Sequence, residues 1–316
     1  MKNERNKEKV ADLNINNSTT IMELINQMKK TGGFTSKKLA VASDILTEMT
    51  EKCDLRILSF PSCIISTGTR GIIKEMVKQK KIDAIITTVG TADHDLARTW
   101  KDYYAGNFED DDVELRKRGL NREGNVLVPN ESYWFLEKNM KTILEECYQE
   151  KKVWAPYELI WKCGEFLNKE NFPKKEESIV YWCWKNQIPM FIPGALDGAW
   201  GYQIWLFWQY KHTDFNLSLF LDDQKLSDMV YNSKKSSALM IGGGISKHHT
   251  IWWQQFRGGL DYAVYITTAV EWDGSLSGAR LKEAISWGKL KPSAKHVTIE
   301  GDATVLLPLL VGSILE

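Results

Sequence analysis

Ala238-Leu239-Met240-Ile241-Gly242-Gly243-Gly244-Ile245-Ser246-Lys247-His248-His249 runs four apolar residues into three glycines and then into polar ones. A short apolar run that stops at glycine reads as a buried strand, and glycine lets the backbone approach a ligand without a Cβ clash. The spacing falls short of the full G-x-G-x-x-G fingerprint, because Lys247 stands where the third glycine belongs. A structural tight turn and a pyrophosphate-binding turn both fit it. The same rhythm recurs outward from this point. Residues 55–60 precede Pro61-Ser62, 84–88 precede Gly90-Thr91-Ala92-Asp93, and 188–192 precede Pro193-Gly194-Ala195-Leu196-Asp197-Gly198. Residues 262–267 run toward Trp272-Asp273-Gly274, and 296–299 lead into Gly301-Asp302.

Most of these runs are separated by segments long enough for a helix, among them 36–52, 69–79, 133–151, 154–168 and 204–210. Continuous apolar strands alternating with helices predict an α/β fold: a doubly wound, mostly parallel sheet with helices on both faces, Rossmann-like. Ligands of such sheets bind at the carboxyl ends of the strands, where these glycine, serine and aspartate loops fall. The segmentation predicts one large domain over 31–316 and an amino-terminal arm over 1–30. Residues 1–20 of the arm look flexible, and Ser18-Thr19-Thr20 cap a helix running to Lys30. The stretch 100–180 is more polar and reads as a helical insertion.

Lys plus Arg equals Asp plus Glu at 41 each, so overall charge gives no reason to expect nucleic acid or an anionic membrane as partner. Five scattered cysteines without a C-x-x-C pair fit reduced thiols better than a disulfide framework or a zinc site. The most apolar stretch, Ala303–Leu315, contains Pro308 and is too short to span a bilayer. The start of the chain has no apolar core of the kind a secretory signal needs, so a cytoplasmic location is expected.

The chemistry concentrates late in the chain. Lys289 follows Trp287, and a lysine desolvated beside an indole becomes a nucleophile able to form a Schiff base. His248 and His249 are adjacent, poor spacing for a metal, so no metal is expected and at most one of them faces a site. On a helix Glu283 and Trp287 would share a face and could hold a cationic amine by charge and cation–π attraction. Asp93, Asp95, Asp197 and Asp302 stand near strand ends, where carboxylates bind ribose hydroxyls or simply form turns.

Taken together, 242–249, 261–268, 273–280 and 283–289 resemble the deoxyhypusine synthase family in order and spacing. Ser66-Thr67-Gly68, Thr87-Thr88-Val89-Gly90 and 124–131 match as well, so the resemblance runs from about residue 30 to the carboxyl terminus. Thr91-Ala92-Asp93-His94-Asp95 and Trp252-Trp253 are similar to archaeal-type members.

That resemblance implies NAD-dependent transfer of the aminobutyl group of spermidine to one lysine of translation initiation factor 5A, through an imine on Lys289. It places His248, Tyr265, Glu283 and Trp287 around the polyamine. It assigns NAD to Ser62, Ser66, Thr88, Gly90, Asp197, Gly243, Thr268, Ala269, Asp302 and Ala303, and it implies a homotetramer with sites at dimer interfaces. The sequence departs from the family at Tyr202 and Leu276, where carboxylates for the polyamine are expected, and at His94, where an acid contacts the cofactor. Trp200, Trp252 and Trp253 are the aromatic residues that could take the place of the missing carboxylates. Two alternatives stay open: a homospermidine synthase-like transfer to a small amine, and a non-catalytic regulatory paralogue.

Overall fold

A computed structural model describes residues 9–315. Six strands form its central sheet: β1 (Leu55–Phe60), β2 (Ala84–Thr87), β3 (Met190–Phe191), β4 (Ser236–Ile241), β5 (Leu260–Thr267) and β6 (Leu290–Glu300). All neighbours pair in parallel, with Leu55 opposite Ser236, Phe60 opposite Thr87 and Thr267 opposite Glu300. Across the sheet the order is β3-β2-β1-β4-β5-β6.

Two separate apolar clusters explain why these runs read as continuous hydrophobic stretches. Leu58, Phe60, Ile85, Leu239, Ile241, Val264 and Ile266 pack on one face. Their neighbours Ile57, Ala84, Ile86, Ala238, Met240, Ala263 and Tyr265 pack on the other. Successive strand residues point to opposite faces, so a sheet covered on both sides needs apolar residues at every position.

The helix Ala303–Leu315 lies on the first face, where Leu307, Leu310 and Val311 are buried. Ile21–Met28 joins it there. Thr20 caps that helix, accepting from the Glu23 amide while the Glu23 carboxylate accepts from the Thr20 amide. Ile25 is wholly buried and joins the first cluster; residues 1–8 of the expected arm lie outside the described residues. Among the described residues no helix is long and apolar enough to cross a membrane.

The stretch 100–180 holds more than helices. Tyr104–Ala105, Leu120–Glu123 and Val126–Pro129 form a small antiparallel sheet. Its hairpin turns at Gly124-Asn125, with Gly124 at φ +61°, the left-handed backbone such a two-residue turn requires. Asn130–Glu150 then begins directly after Pro129.

Candidate active site

β1 and β4 are the neighbours at which the strand order reverses, and their carboxyl ends flank a cavity of about 360 Å³. Ser66, Thr268, Asp302 and Ala303 line it, together with Pro61, Gly242 and the hairpin residues Glu123 to Val126. Gly242 has φ +62°, and a Cβ there would sit 3.3 Å from the Pro61 ring. Gly243 lies against the loop 273–280, where a Cβ would come within 2.1 Å of Ser277 Oγ. Ser62, Thr88 and Gly90 meet beside this cavity: the Ser62 amide donates to Thr88 Oγ1 at 3.0 Å, and a Cβ on Gly90 would strike Ser62. Asp197 is exposed in the loop after β3, and Ala269 follows β5, its amide donating to Thr267 Oγ1.

Lys289 occupies a different place. Its carbonyl accepts from the Leu260 amide at the amino end of β5, while the cavity lies at the carboxyl end. The intervening strand is on the order of 20 Å long at the usual rise per residue. Lys289 Nζ is 5.2 Å from the Trp287 ring and 5.8 Å from the Trp252 ring. Trp287 is 66% exposed and Trp252 43%, so in one chain the indoles flank the amine without enclosing it.

His248 stacks on Trp252 at 5.9 Å. Its pKa is lowered, first by burial and then by the Lys289 charge. His249 points the other way: it accepts from the Trp253 indole at 3.1 Å, and burial drives its pKa down to about 4. His248 is therefore the histidine on the lysine side. Glu283 and Trp287 do not share a face of an α-helix as expected, because Leu281–Ile285 is a single 3-10 turn and Trp287 follows it. None of Lys289, His248, Glu283 and Trp287 is on the wall of the 360 Å³ cavity.

Between the two places lies a clamped loop. Lys247 is 2% exposed, and its Nζ donates to the carbonyls of Leu276 (2.8 Å) and Ala279 (2.6 Å), 3.8 Å from the centre of the Tyr265 ring. The Tyr265 hydroxyl donates to the Ser277 carbonyl at 2.6 Å, as does Thr267 at 3.0 Å. Tyr265 is wholly buried, so in this chain it holds the loop from beneath. Burial lowers the Lys247 pKa to about 8.

Other residues that looked functional are structural. Asp93 accepts from the Ala199 and Trp200 amides at 3.0 and 2.7 Å, capping Ala199–Gln209, and burial lifts its pKa to about 6. Asp95 is fully buried against Arg70 (2.7 Å), Ser178 and the amides of Ile179 and Val180. Neither carboxylate is on the wall of the cavity. Of the three tryptophans expected to face an amine, Trp200 is wholly buried and Trp253 is tied to His249, which leaves Trp252. Leu276 is half-buried, and Tyr202 is exposed against Trp205. Glu123 was not among the expected residues; the available signal was the Gly124-Asn125 turn followed by the short apolar run Val126–Pro129.

A parallel sheet with this strand order, covered by helices on both faces and with a cavity at the reversal point, defines a doubly wound α/β protein. Residues 23–314 match the family model for deoxyhypusine synthase. The chain is 54% identical over 316 residues to a probable deoxyhypusine synthase of Picrophilus torridus, covering 100% of this chain and 99% of that one. It is 51% identical over 307 residues to a similarly named protein of Thermoplasma acidophilum, covering 97% of each. The crystal structure of a putative deoxyhypusine synthase from Entamoeba histolytica shares the fold, with a TM-score of 0.66, 21% identity and 94% of each chain covered. The chain belongs to the deoxyhypusine synthase family, whose members are transferases.

Proposed function

We propose that this protein transfers the aminobutyl group of spermidine to a specific lysine of translation initiation factor 5A, with NAD as cofactor and an imine on Lys289 as the covalent intermediate. The observation that carries this reading is Lys289 flanked by Trp287, Trp252 and His248 within a full-length family match.

The glycine cradle fits a dinucleotide. Gly242 adopts the left-handed backbone at the cavity wall, and the helix that begins at Gly244 starts two residues further on, its first amides open to a phosphate. Ser62, Ser66, Thr88, Gly90, Asp197, Gly243, Thr268, Ala269, Asp302 and Ala303 would hold NAD. The cofactor would supply a hydride acceptor for spermidine and a hydride donor at the end.

An alkylammonium is no nucleophile until it loses its proton. His248, whose pKa is lowered, is neutral near pH 7 and can take a proton from Lys289 or from the amine. The freed Lys289 amine adds to the dehydrogenated carbon of spermidine and displaces 1,3-diaminopropane, and the acceptor lysine then displaces Lys289. The Trp252 and Trp287 indoles favour a cation beside Lys289, and Glu283, on the 3-10 turn just before Trp287, would add its charge to the amine site.

The lysine group and the cofactor cavity share no wall residue. Imine and hydride chemistry act on one carbon, so the reading joins the Lys289 group of one copy to the cavity of another in a homotetramer. Purified protein given NAD, labelled spermidine and the cognate factor should label one lysine of the factor. Label appearing only on added putrescine would favour a homospermidine-type transfer, and no label with NAD bound would end the enzyme reading.

A further inference from the structure

The hairpin Leu120–Glu123/Val126–Pro129 brings to the site a group that the mechanism above does not use. Glu123 lines the 360 Å³ cavity and also a neighbouring cavity of about 510 Å³, whose wall includes His94, Asn121, Asn130, Tyr133 and Trp134. Among the described residues it is the one common to both walls.

One carboxylate oxygen of Glu123 is fully covered and accepts no hydrogen bond, while the side chain as a whole stays 34% exposed. The nearest candidate cation is His94, with Nε2 at 3.6 Å, outside hydrogen-bond range. Burial, aided by the charge of Arg98, lowers the His94 pKa despite the opposite pull of Glu123. His94 Nδ1 is already engaged with the Tyr103 hydroxyl at 2.9 Å. Arg122, the guanidinium on the same wall, is held by Asp112 through bonds of 2.6 and 2.7 Å. The wall thus carries a carboxyl group with no cation in hydrogen-bond range, beside Tyr133 and Trp134.

The covered oxygen is the one turned toward His94, and the exposed remainder of the carboxyl lines the cavity; a carboxylate open to a cavity beside aromatic rings is a setting that binds alkylammonium ions. Resting on the function proposed above, we propose that the 510 Å³ cavity receives a terminal ammonium of the amine substrate, with Glu123 as its counter-charge. The position of Glu123 on both walls sets that ammonium at the edge of the cofactor cavity, so the neighbouring carbons reach into it. The inference concerns a residue supplied by the inserted hairpin, apart from the Lys289 group.

The test is calorimetric titration of spermidine into the full-length protein loaded with NADH, which cannot accept a hydride and so leaves the amine intact. Glu123→Gln keeps the side-chain volume and removes the charge. Spermidine affinity should fall about tenfold or more, the equivalent of one charge-assisted bond, with NAD affinity unchanged. Glu123→Asp should recover part of the loss. Equal spermidine affinity in wild type and Glu123→Gln overturns the inference. A loss of NAD affinity with amine binding intact also overturns it, placing Glu123 on a ribose hydroxyl. Wild type that binds neither NAD nor spermidine would instead refute the proposed function, and this inference with it.

Discussion

Replacing Lys247 with methionine separates what its buried charge costs from what its N–H groups contribute. The amine is covered and donates to the carbonyls of Leu276 and Ala279 at 2.8 and 2.6 Å. Burial lowers its pKa from 10.5 to about 8, against the raising pull of Glu283. The folded protein therefore holds this proton less readily than the unfolded chain, a penalty of roughly 3 kcal/mol below pH 8. Lys247→Met removes the penalty but leaves two covered carbonyls unpaired, at about 1–3 kcal/mol each. At pH 7 the two effects nearly offset, and the variant should lie between about 1 kcal/mol more stable and 3 kcal/mol less stable than wild type. At pH 10 the amine is neutral in the fold and still has two N–H groups to donate, while about 1 kcal/mol of the penalty persists because the unfolded chain is still mostly protonated, so the variant should be about 1–5 kcal/mol less stable. Between pH 8 and 10.5 the unfolded chain binds the extra proton, so this group makes wild-type stability rise with pH across that window. Paired urea unfolding at pH 7, 8.5 and 10 reads the difference, in which titrations common to both proteins cancel. A difference that stays constant over the three pH values would refute the reasoning.

Asp222 is buried with one oxygen unpartnered and the other accepting from the Tyr157 amide at 3.1 Å, and burial raises its pKa to about 7. Here the folded state holds the proton more tightly, so this group makes stability fall as pH rises from about 4 through 7. Asp222→Asn keeps an acceptor for Tyr157 and cannot ionise. It should stabilise by about 4 kcal/mol at pH 8 and by little near pH 4; a thermal shift equal at both pH values would contradict this. Lys289→Ala and Thr268→Trp, the latter filling the cofactor cavity, should each be inactive alone. They should regain activity when refolded together, if one site draws on two copies; no recovery in mixed oligomers would count against that assembly.

The six strands were legible because burial on both faces leaves no polar alternation to blur the runs, as in Ala84–Thr87 and Ser236–Ile241. β6 was read as four residues because its first half, from Leu290 to Lys295, is irregular and partly exposed. The hairpin at Gly124 escaped because its strands are four residues each and sit in a polar stretch. Strand-end aspartates mislead for a physical reason: a carboxylate that caps a helix, like Asp93, has the same sequence setting as one that holds a ribose. The pairing of Glu283 with Trp287 assumed an α-helix where the chain makes one 3-10 turn. Periodicity cannot reveal that Trp200 is core while Trp252 is half-open, since both lie in helices of nearly uniform hydrophobicity or mixed face.

The most direct measurement is mass spectrometry of the protein after incubation with spermidine and NAD and trapping with borohydride. The account predicts an aminobutyl adduct on Lys289 that depends on NAD. An adduct on another lysine, such as the buried Lys247, or no adduct in folded, NAD-bound protein, would contradict it.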